Sequence, residues 1–194
     1  MIVGGSGYEI VDQRDIQRMG GLYTRFPSSY IICKLLKMAN ARRVLDVTYG
    51  AGRFYTLCRK DIDLLIASDP VKWRWVVPPD TFYQTTVWQL YNMVKSGSVK
   101  ISDVDVVVCD PPRFSKGGNR RDEYNYIIGT HNLIIGYSVK LARLLGVRYF
   151  ILHFNKIVDL GEIAYIVEFK WMARYLHVDG TRNKSYFILY NIAG

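Results

Sequence analysis

Val104-Asp105-Val106-Val107-Val108-Cys109-Asp110-Pro111-Pro112-Arg113-Phe114 joins a β-branched run to an abrupt double-proline stop. Such a run suits a strand of a parallel sheet covered on both faces, where side chains pointing either way must be apolar. Two successive prolines fix φ and remove two backbone donors, so the strand ends there and a stiff, irregular loop follows. In an open α/β sheet, loops at the carboxyl ends of strands line the ligand crevice. Asp110, Arg113 and Phe114 are therefore expected to project where chemistry occurs. The plain alternative is a proline-terminated strand carrying an incidental acid.

Two segments upstream have a similar form. Arg43-Val44-Leu45-Asp46-Val47-Thr48 reads as a strand and Tyr49-Gly50-Ala51-Gly52 as the turn after it, leading into a helix expected to begin near Arg53. Glycines at such a turn permit positive φ and let a ligand approach the backbone, beside the unpaired amides of a helix start. Asp63-Leu64-Leu65-Ile66-Ala67-Ser68-Asp69 is again a short apolar strand ending in an acid. Asp69 falls 23 residues after Asp46, near the spacing at which a second-strand carboxylate accepts hydrogen bonds from ribose hydroxyls. The structural alternatives are an ordinary strand-to-helix turn at Gly50 and Gly52, and an Asp69 that merely caps the turn before Pro70.

Around these tips the chain alternates strands and helices. Residues 1–22, with Gly4-Gly5-Ser6-Gly7 near the start and Gly20-Gly21 near the end, read as an extension that is loose or folds over a neighbour. Tyr30 to Met38 has helical spacing, with Ser28 or Ser29 as its cap. Lys72-Trp73-Arg74-Trp75 interleaves cations with indoles, fit either to stack on a base or adenine ring or to pack internally. Thr81-Phe82-Tyr83-Gln84 reads as a third strand, Thr86 to Ser96 as a helix ended by Gly97, and Glu123 to Leu145 as a long helix. Val147 to Phe154 is a fifth strand, and its His153 is a structural histidine or a catalytic one. Asp159 to Phe169 reads as a short helix. Trp171 to Val178 and Ser185 to Asn191 read as two strands joined through Asp179-Gly180-Thr181-Arg182-Asn183.

Composition bounds the function. With 194 residues, 49% hydrophobic and 22% charged, the chain has ordinary globular make-up for one domain, and global disorder is excluded. Twenty-six Lys+Arg against 17 Asp+Glu give a net charge of +9, which favours a polyanionic partner. The loop after the prolines adds to this: Arg113, Lys116, Arg120 and Arg121 flank Gly117-Gly118 and could contact phosphates. Cys33, Cys58 and Cys109 are odd in number without metal-type spacing, so reduced thiols, no metal site and a cytoplasmic setting are expected. There is no apolar run of about 18 residues and no signal-peptide layout, hence no membrane partner is expected.

The combined pattern resembles the class I, Rossmann-like S-adenosylmethionine-dependent methyltransferases over about residues 23–191. Val44 to Gly52 is similar to that family's first motif, Ala67-Ser68-Asp69 to its second and Asp110-Pro111-Pro112 to its fourth. The resemblance implies a mostly parallel seven-stranded sheet closed by an antiparallel hairpin, with residues 23–194 as the methyltransferase domain. It implies S-adenosyl-L-methionine as cofactor, with Asp46, Tyr49, Gly50 and Gly52 around its methionine part and Asp69, followed by Pro70, at its ribose. Phe26-Pro27 stands where amino-methyltransferases often carry an aromatic-proline segment beside the cofactor carboxylate. Asp-Pro-Pro-x-Phe followed by Ser-Lys and a basic stretch resembles ribosomal RNA methyltransferases. It is also similar to the loop of base amino-methyltransferases, and in that second group the Asp and a proline carbonyl accept from an exocyclic amine. In that pattern the aromatic residue stacks on an extruded base. Here Arg113 precedes Phe114, a departure that bears on the stacking role. A carbon-5 pyrimidine reaction is disfavoured, because Cys109 points into the sheet and Phe154-Asn155-Lys156 has no thiol.

The implied function is methylation of a base nitrogen in RNA, or less favourably DNA, with Asp110, Pro111, Pro112 and Phe114 in the catalytic loop. A small-molecule or protein methyltransferase is the rival enzyme. A non-catalytic nucleic-acid-binding module of the same fold is the rival of another class. Thr85-Thr86 stands where many relatives carry an acid contacting adenine. No separate target-recognition domain is visible, so specificity falls to residues 1–22, the basic loop, or a partner subunit or second copy.

Overall fold

The computed structural model describes residues 7–111, 131–172 and 184–193. In chain order the elements are β1 (Gly7–Asp12), α1 (Gln13–Gln17), α2 (Leu22–Arg25), α3 (Pro27–Met38), β2 (Arg43–Asp46), β3 (Leu64–Ser68), β4 (Thr81–Tyr83), α4 (Val87–Lys95), β5 (Val106–Cys109), α5 (His131–Leu144), β6 (Tyr149–Phe154), β7 (Glu162–Lys170) and β8 (Lys184–Asn191). Two 3₁₀ turns, Arg53–Tyr55 and Arg59–Asp61, lie between β2 and β3.

The strands form one sheet in the order β1-β7-β8-β6-β5-β2-β3-β4. β8 runs antiparallel to β6 and β7, and every other pairing is parallel. From β2 the chain steps outward to β3 and β4, then returns to lay β5 on the opposite side of β2. That reversal is a topological switch point, where the loops of two neighbouring strands diverge and leave a crevice beyond their carboxyl ends.

Alternation along the central strands fills two cores. Val44, Val106 and Val108 pack with Ile31, Ile32 and Leu35 of α3 on one face. Leu45, Val107 and Cys109 pack with Leu90 of α4 and Leu141 of α5 on the other. The continuous apolar run Val106–Cys109 is thus explained by helices covering both faces of a parallel strand.

Several expectations need correction. The sheet has eight strands among the described residues, because residues 7–12, part of the segment read as loose or folded over a neighbour, do the latter and pair in parallel with β7 as an edge strand. Asp159 to Phe169, read as a short helix, is instead β7 over Glu162–Lys170. Its Glu and Ala residues have helical propensity, but partners on both sides outweigh local preference. Trp171 and Met172 follow β7 outside any strand, and the turn read over residues 179–183 lies outside the described residues. No α-helix starts near Arg53; a 3₁₀ turn stands there. Helix α3 begins at Pro27 rather than after a serine cap, with Phe26 at its N-cap and no side-chain capping bond.

Cys33 and Cys58, expected as thiols, form a disulfide with a Cα–Cα distance of 5.7 Å. α3 lays Cys33 against the segment between the two 3₁₀ turns, a contact that a 25-residue separation does not announce. Cys109 is free and buried. No helix among the described residues is long and apolar enough to cross a membrane.

Candidate active site

The tips of β2, β3 and β5 are tied to one another through their acids. Thr48 just past β2 is the joint: its amide and hydroxyl face Oδ1 of Asp46 at 2.9 and 3.4 Å, and its Oγ1 accepts from the amide of Asp110 at 2.6 Å. Asp69 ties β3 to the glycine loop, Oδ2 accepting from the Gly50 amide at 2.9 Å. Its Oδ1 accepts from the Val71 amide at 2.8 Å and from Nε1 of Trp73 at 3.3 Å. A carboxylate offers about four lone-pair sites. Asp69 therefore keeps acceptor capacity on Oδ2.

Burial sets the electrostatics. Asp46 is 2% exposed, and desolvation pushes its carboxyl up to about 7. The Tyr55 hydroxyl, donating to Oδ2 at 2.6 Å, and the Thr48 amide oppose that rise, while the charges of Asp110 and Asp69 add to it. Asp69 is likewise raised, chiefly by desolvation. Three acids crowded at one place favour a cation nearby, which would lower the repulsion among them.

A cleft of about 580 Å³ opens over these tips, a size suited to a small organic ligand. Tyr49, Gly50, Asp69, Pro70 and Asp110 line it, as do Phe26 and Pro27 at the start of α3. The walls are aromatic, with Phe54, Trp73, Trp88 and Trp171, and the exposed Arg25 and Arg53 also face it. Gly50 has φ of +55° and nothing within 4 Å of the place a Cβ would occupy, so its backbone lies open to whatever fills the cleft. Gly52 is tight for another reason. At φ +72°, a Cβ would lie 2.6 Å from the Val77 carbonyl oxygen and 2.5 Å from the Tyr49 hydroxyl, which itself donates to that carbonyl at 2.7 Å.

Beside Asp110, on β6, His153 is 4% exposed. Its Nδ1 lies 3.0 Å from Oδ1 of Asp110, and its Nε2 lies 3.0 Å from Oγ of Ser185 on β8. Trp171 Nε1 donates to the same Oγ at 2.8 Å.

No family model and no curated protein sequence matches this chain. Solved structures do. A Thermoplasma acidophilum protein superimposes with a TM-score of 0.54 at 12% identity, over 94% of this chain and 98% of that one. A SAM-dependent methyltransferase from Agrobacterium tumefaciens gives 0.51 at 13% identity, over 86% of this chain and 62% of the other. The present chain thus spans about three fifths of that protein's length. The precorrin 8W decarboxylase of Methanobacterium thermoautotrophicum gives 0.50 at 12% identity, over 84% and 90%. The fold is that of the Rossmann-like methyltransferases. At these identities the likeness is one of architecture.

Within that methyltransferase fold, the expected residues divide into three groups. Phe26, Pro27, Tyr49, Gly50, Asp69, Pro70 and Asp110 come together around the cleft. Asp46 and Gly52 lie beneath it, supporting the loop, and Pro111 is buried outside its lining. Pro112, Arg113, Phe114, Lys116, Arg120 and Arg121 lie outside the described residues. The Lys72–Trp75 stretch splits: Trp73 faces the cleft, whereas Trp75 packs edge-on against Phe82 at 5.2 Å. Thr86 lines the cleft and caps α4 in a capping box with Gln89. Reading the sequence missed Phe54, Trp88, Trp171 and the Ser185–His153 pair. Only His153 carried a signal, as a polar residue within an apolar strand.

Proposed function

We propose that this chain is an S-adenosylmethionine-dependent methyltransferase acting on an amine nitrogen of a nucleic-acid base, with RNA favoured over DNA. The carrying observation is that the tips bearing Asp46, Asp69 and Asp110 converge at the topological switch point under a single cleft. The donor set fits the cofactor. Asp69 retains an acceptor for a ribose hydroxyl, the Gly50 backbone is open, aromatic walls can cover an adenine, and clustered acids favour a sulfonium over a neutral ligand.

When bound, the cofactor supplies an electrophilic methyl group: the nitrogen–carbon bond forms as the carbon–sulfur bond breaks, and the electron pair stays on sulfur. The protein's part is alignment, since in-line displacement gains mainly from proximity. Asp110, half-buried in the cleft wall, accepts a hydrogen bond from the substrate amine and turns its lone pair toward the methyl. It then takes the proton that the alkylated nitrogen must lose. The net charge of +9, with Arg25 and Arg53 at the cleft, supports a polyanionic substrate. Arg113, Lys116, Arg120 and Arg121 would extend that basic surface, and Pro112 and Phe114 would complete the catalytic loop. A partner subunit or second copy would supply target selection.

Calorimetry with S-adenosylmethionine, followed by incubation of labelled cofactor with total RNA and separately with DNA, tests this reading. Binding and a labelled nucleoside located by mass spectrometry are expected. No cofactor binding would leave only a binding module. Binding without transfer to either polymer would move the substrate to a small molecule or a protein.

A further inference from the structure

The group of Trp171, Ser185, His153 and Asp110 has a direction. Indole Nε1 carries only a proton to give, and in Trp171 it gives it to Ser185 Oγ at 2.8 Å. With that lone pair occupied, the Ser185 proton has His153 Nε2, 3.0 Å away, within reach. At the other ring nitrogen stands Oδ1 of Asp110, 3.0 Å from Nδ1. A carboxylate presents lone pairs alone, so the proton between them belongs on Nδ1. The opposite tautomer would set a nitrogen lone pair against the carboxylate and make Ser185 Oγ accept twice, from Trp171 and from His153, with its own proton turned away from both.

The ring has little freedom to turn. β6 pairs with β8 so that His153 stands opposite Phe187, and the two rings stack at 3.7 Å between centroids, 11° from parallel. Phe54 meets His153 edge-on at 5.8 Å, and Trp171 lies tilted at 6.2 Å. The Nδ1 contact with Asp110 is short but bent from ideal hydrogen-bond geometry. Catalytic hydrogen bonds are often misaligned before substrate arrives and straighten in the complex.

We propose that His153 is a positioning residue for Asp110. Held by Ser185 and Trp171 as the Nδ1–H tautomer, it fixes one carboxylate oxygen and leaves the other to the substrate amine. This rests on the reading of Asp110 as the acceptor of that amine.

Two measurements test it. Long-range proton–nitrogen NMR on histidine-labelled protein at pH 7 should show His153 with Nδ1 protonated and Nε2 bare; a proton on Nε2 overturns the proposal. In the second, labelled S-adenosylmethionine and total RNA serve as probes. His153→Phe keeps the stack on Phe187 and deletes the donor. Its turnover should fall tenfold to a hundredfold, as for a lost hydrogen bond to a charged group worth roughly 1.5–3 kcal/mol, while KM and the cofactor affinity by calorimetry hold. His153→Asn, which returns an N–H near the place of Nδ1, should recover part of the loss. Full turnover in His153→Phe, or equal loss in both variants, overturns the positioning role alone. Failure of the wild-type chain to bind S-adenosylmethionine overturns the enzymatic reading and this role with it. If it binds but methylates neither RNA nor DNA, the tautomer decides.

Discussion

The amide of Gly50 donates to Oδ2 of Asp69 at 2.9 Å, across the gap between the loop after β2 and the tip of β3. One carboxylate thereby sets the shape of the glycine loop and keeps an acceptor for a ligand. Asp69→Ala should lose both, and the affinity for S-adenosylmethionine should fall at least tenfold, on the scale of one charge-assisted hydrogen bond at roughly 1.5–3 kcal/mol. Calorimetry with the folded variant measures this, and an unchanged affinity would remove Asp69 from the cofactor site.

Gly50 and Gly52 should respond differently to the same change. Gly52→Ala places a methyl against the Val77 carbonyl and the Tyr49 hydroxyl at φ +72°, costing roughly 2–5 kcal/mol from left-handed strain plus overpacking. Gly50→Ala at φ +55° meets open space, so only about 1–2 kcal/mol of backbone strain is expected. Its larger effect should be on ligand affinity, because the added methyl points into open space at the cleft. Denaturant melts paired with calorimetry separate the two; equal destabilisation would contradict the assignment.

Asp46 makes stability depend on pH in a direction opposite to that of a salt-bridged acid. Folding raises its pKa from 3.8 to about 7 through burial, so between those values the folded state holds a proton that the unfolded chain has lost. Its contribution is complete below about pH 4 and disappears as pH climbs to about 7, an effect on the order of 3–4 kcal/mol at 1.36 kcal/mol per unit. Asp69, raised by the same cause, acts in the same sense. Asp46→Asn, having no such titration, should therefore gain stability relative to the wild type as pH rises from 4 to 7. Urea melts at pH 4.5, 6 and 8 test the trend, and a relative loss at high pH would refute it.

The Cys33–Cys58 bridge closes a 25-residue loop, for which chain entropy suggests roughly 3 kcal/mol. Reduction, or Cys33→Ala with Cys58→Ala, should lower Tm by roughly 6–12 °C for a chain of this size. An unchanged melt after reductant would indicate that α3 and the turn region are held by packing alone.

What the sequence showed well was punctuation. An acid or proline pair after a short apolar run marks where a strand stops, and the ends of β2, β3 and β5 were legible for that reason. Helix α4 was legible too, since Thr86 and Gly97 close it at either end by local chemistry. What was hidden depends on partners distant in the chain. β7 is a strand because β1 and β8 flank it, and nothing between residues 159 and 169 encodes those neighbours. Asp46, at a strand end, could orient the loop or meet a ligand, and only the partners Tyr55 and Thr48, which donate to its oxygens, place it under the loop. The disulfide and the Ser185–His153–Asp110 chain join residues that only the finished fold makes adjacent.

The edge pairing of β1 with β7 also orders events in time. Residue 7 lies beside residue 165, so β1 docks only once β7, far along the chain, is in place. Until then the margin formed by β7 is bare, with unpaired backbone groups that would accept a stray strand from any nearby chain. β1 is therefore the shield of that margin, and a molecule folded everywhere but there is at its most open to mispairing.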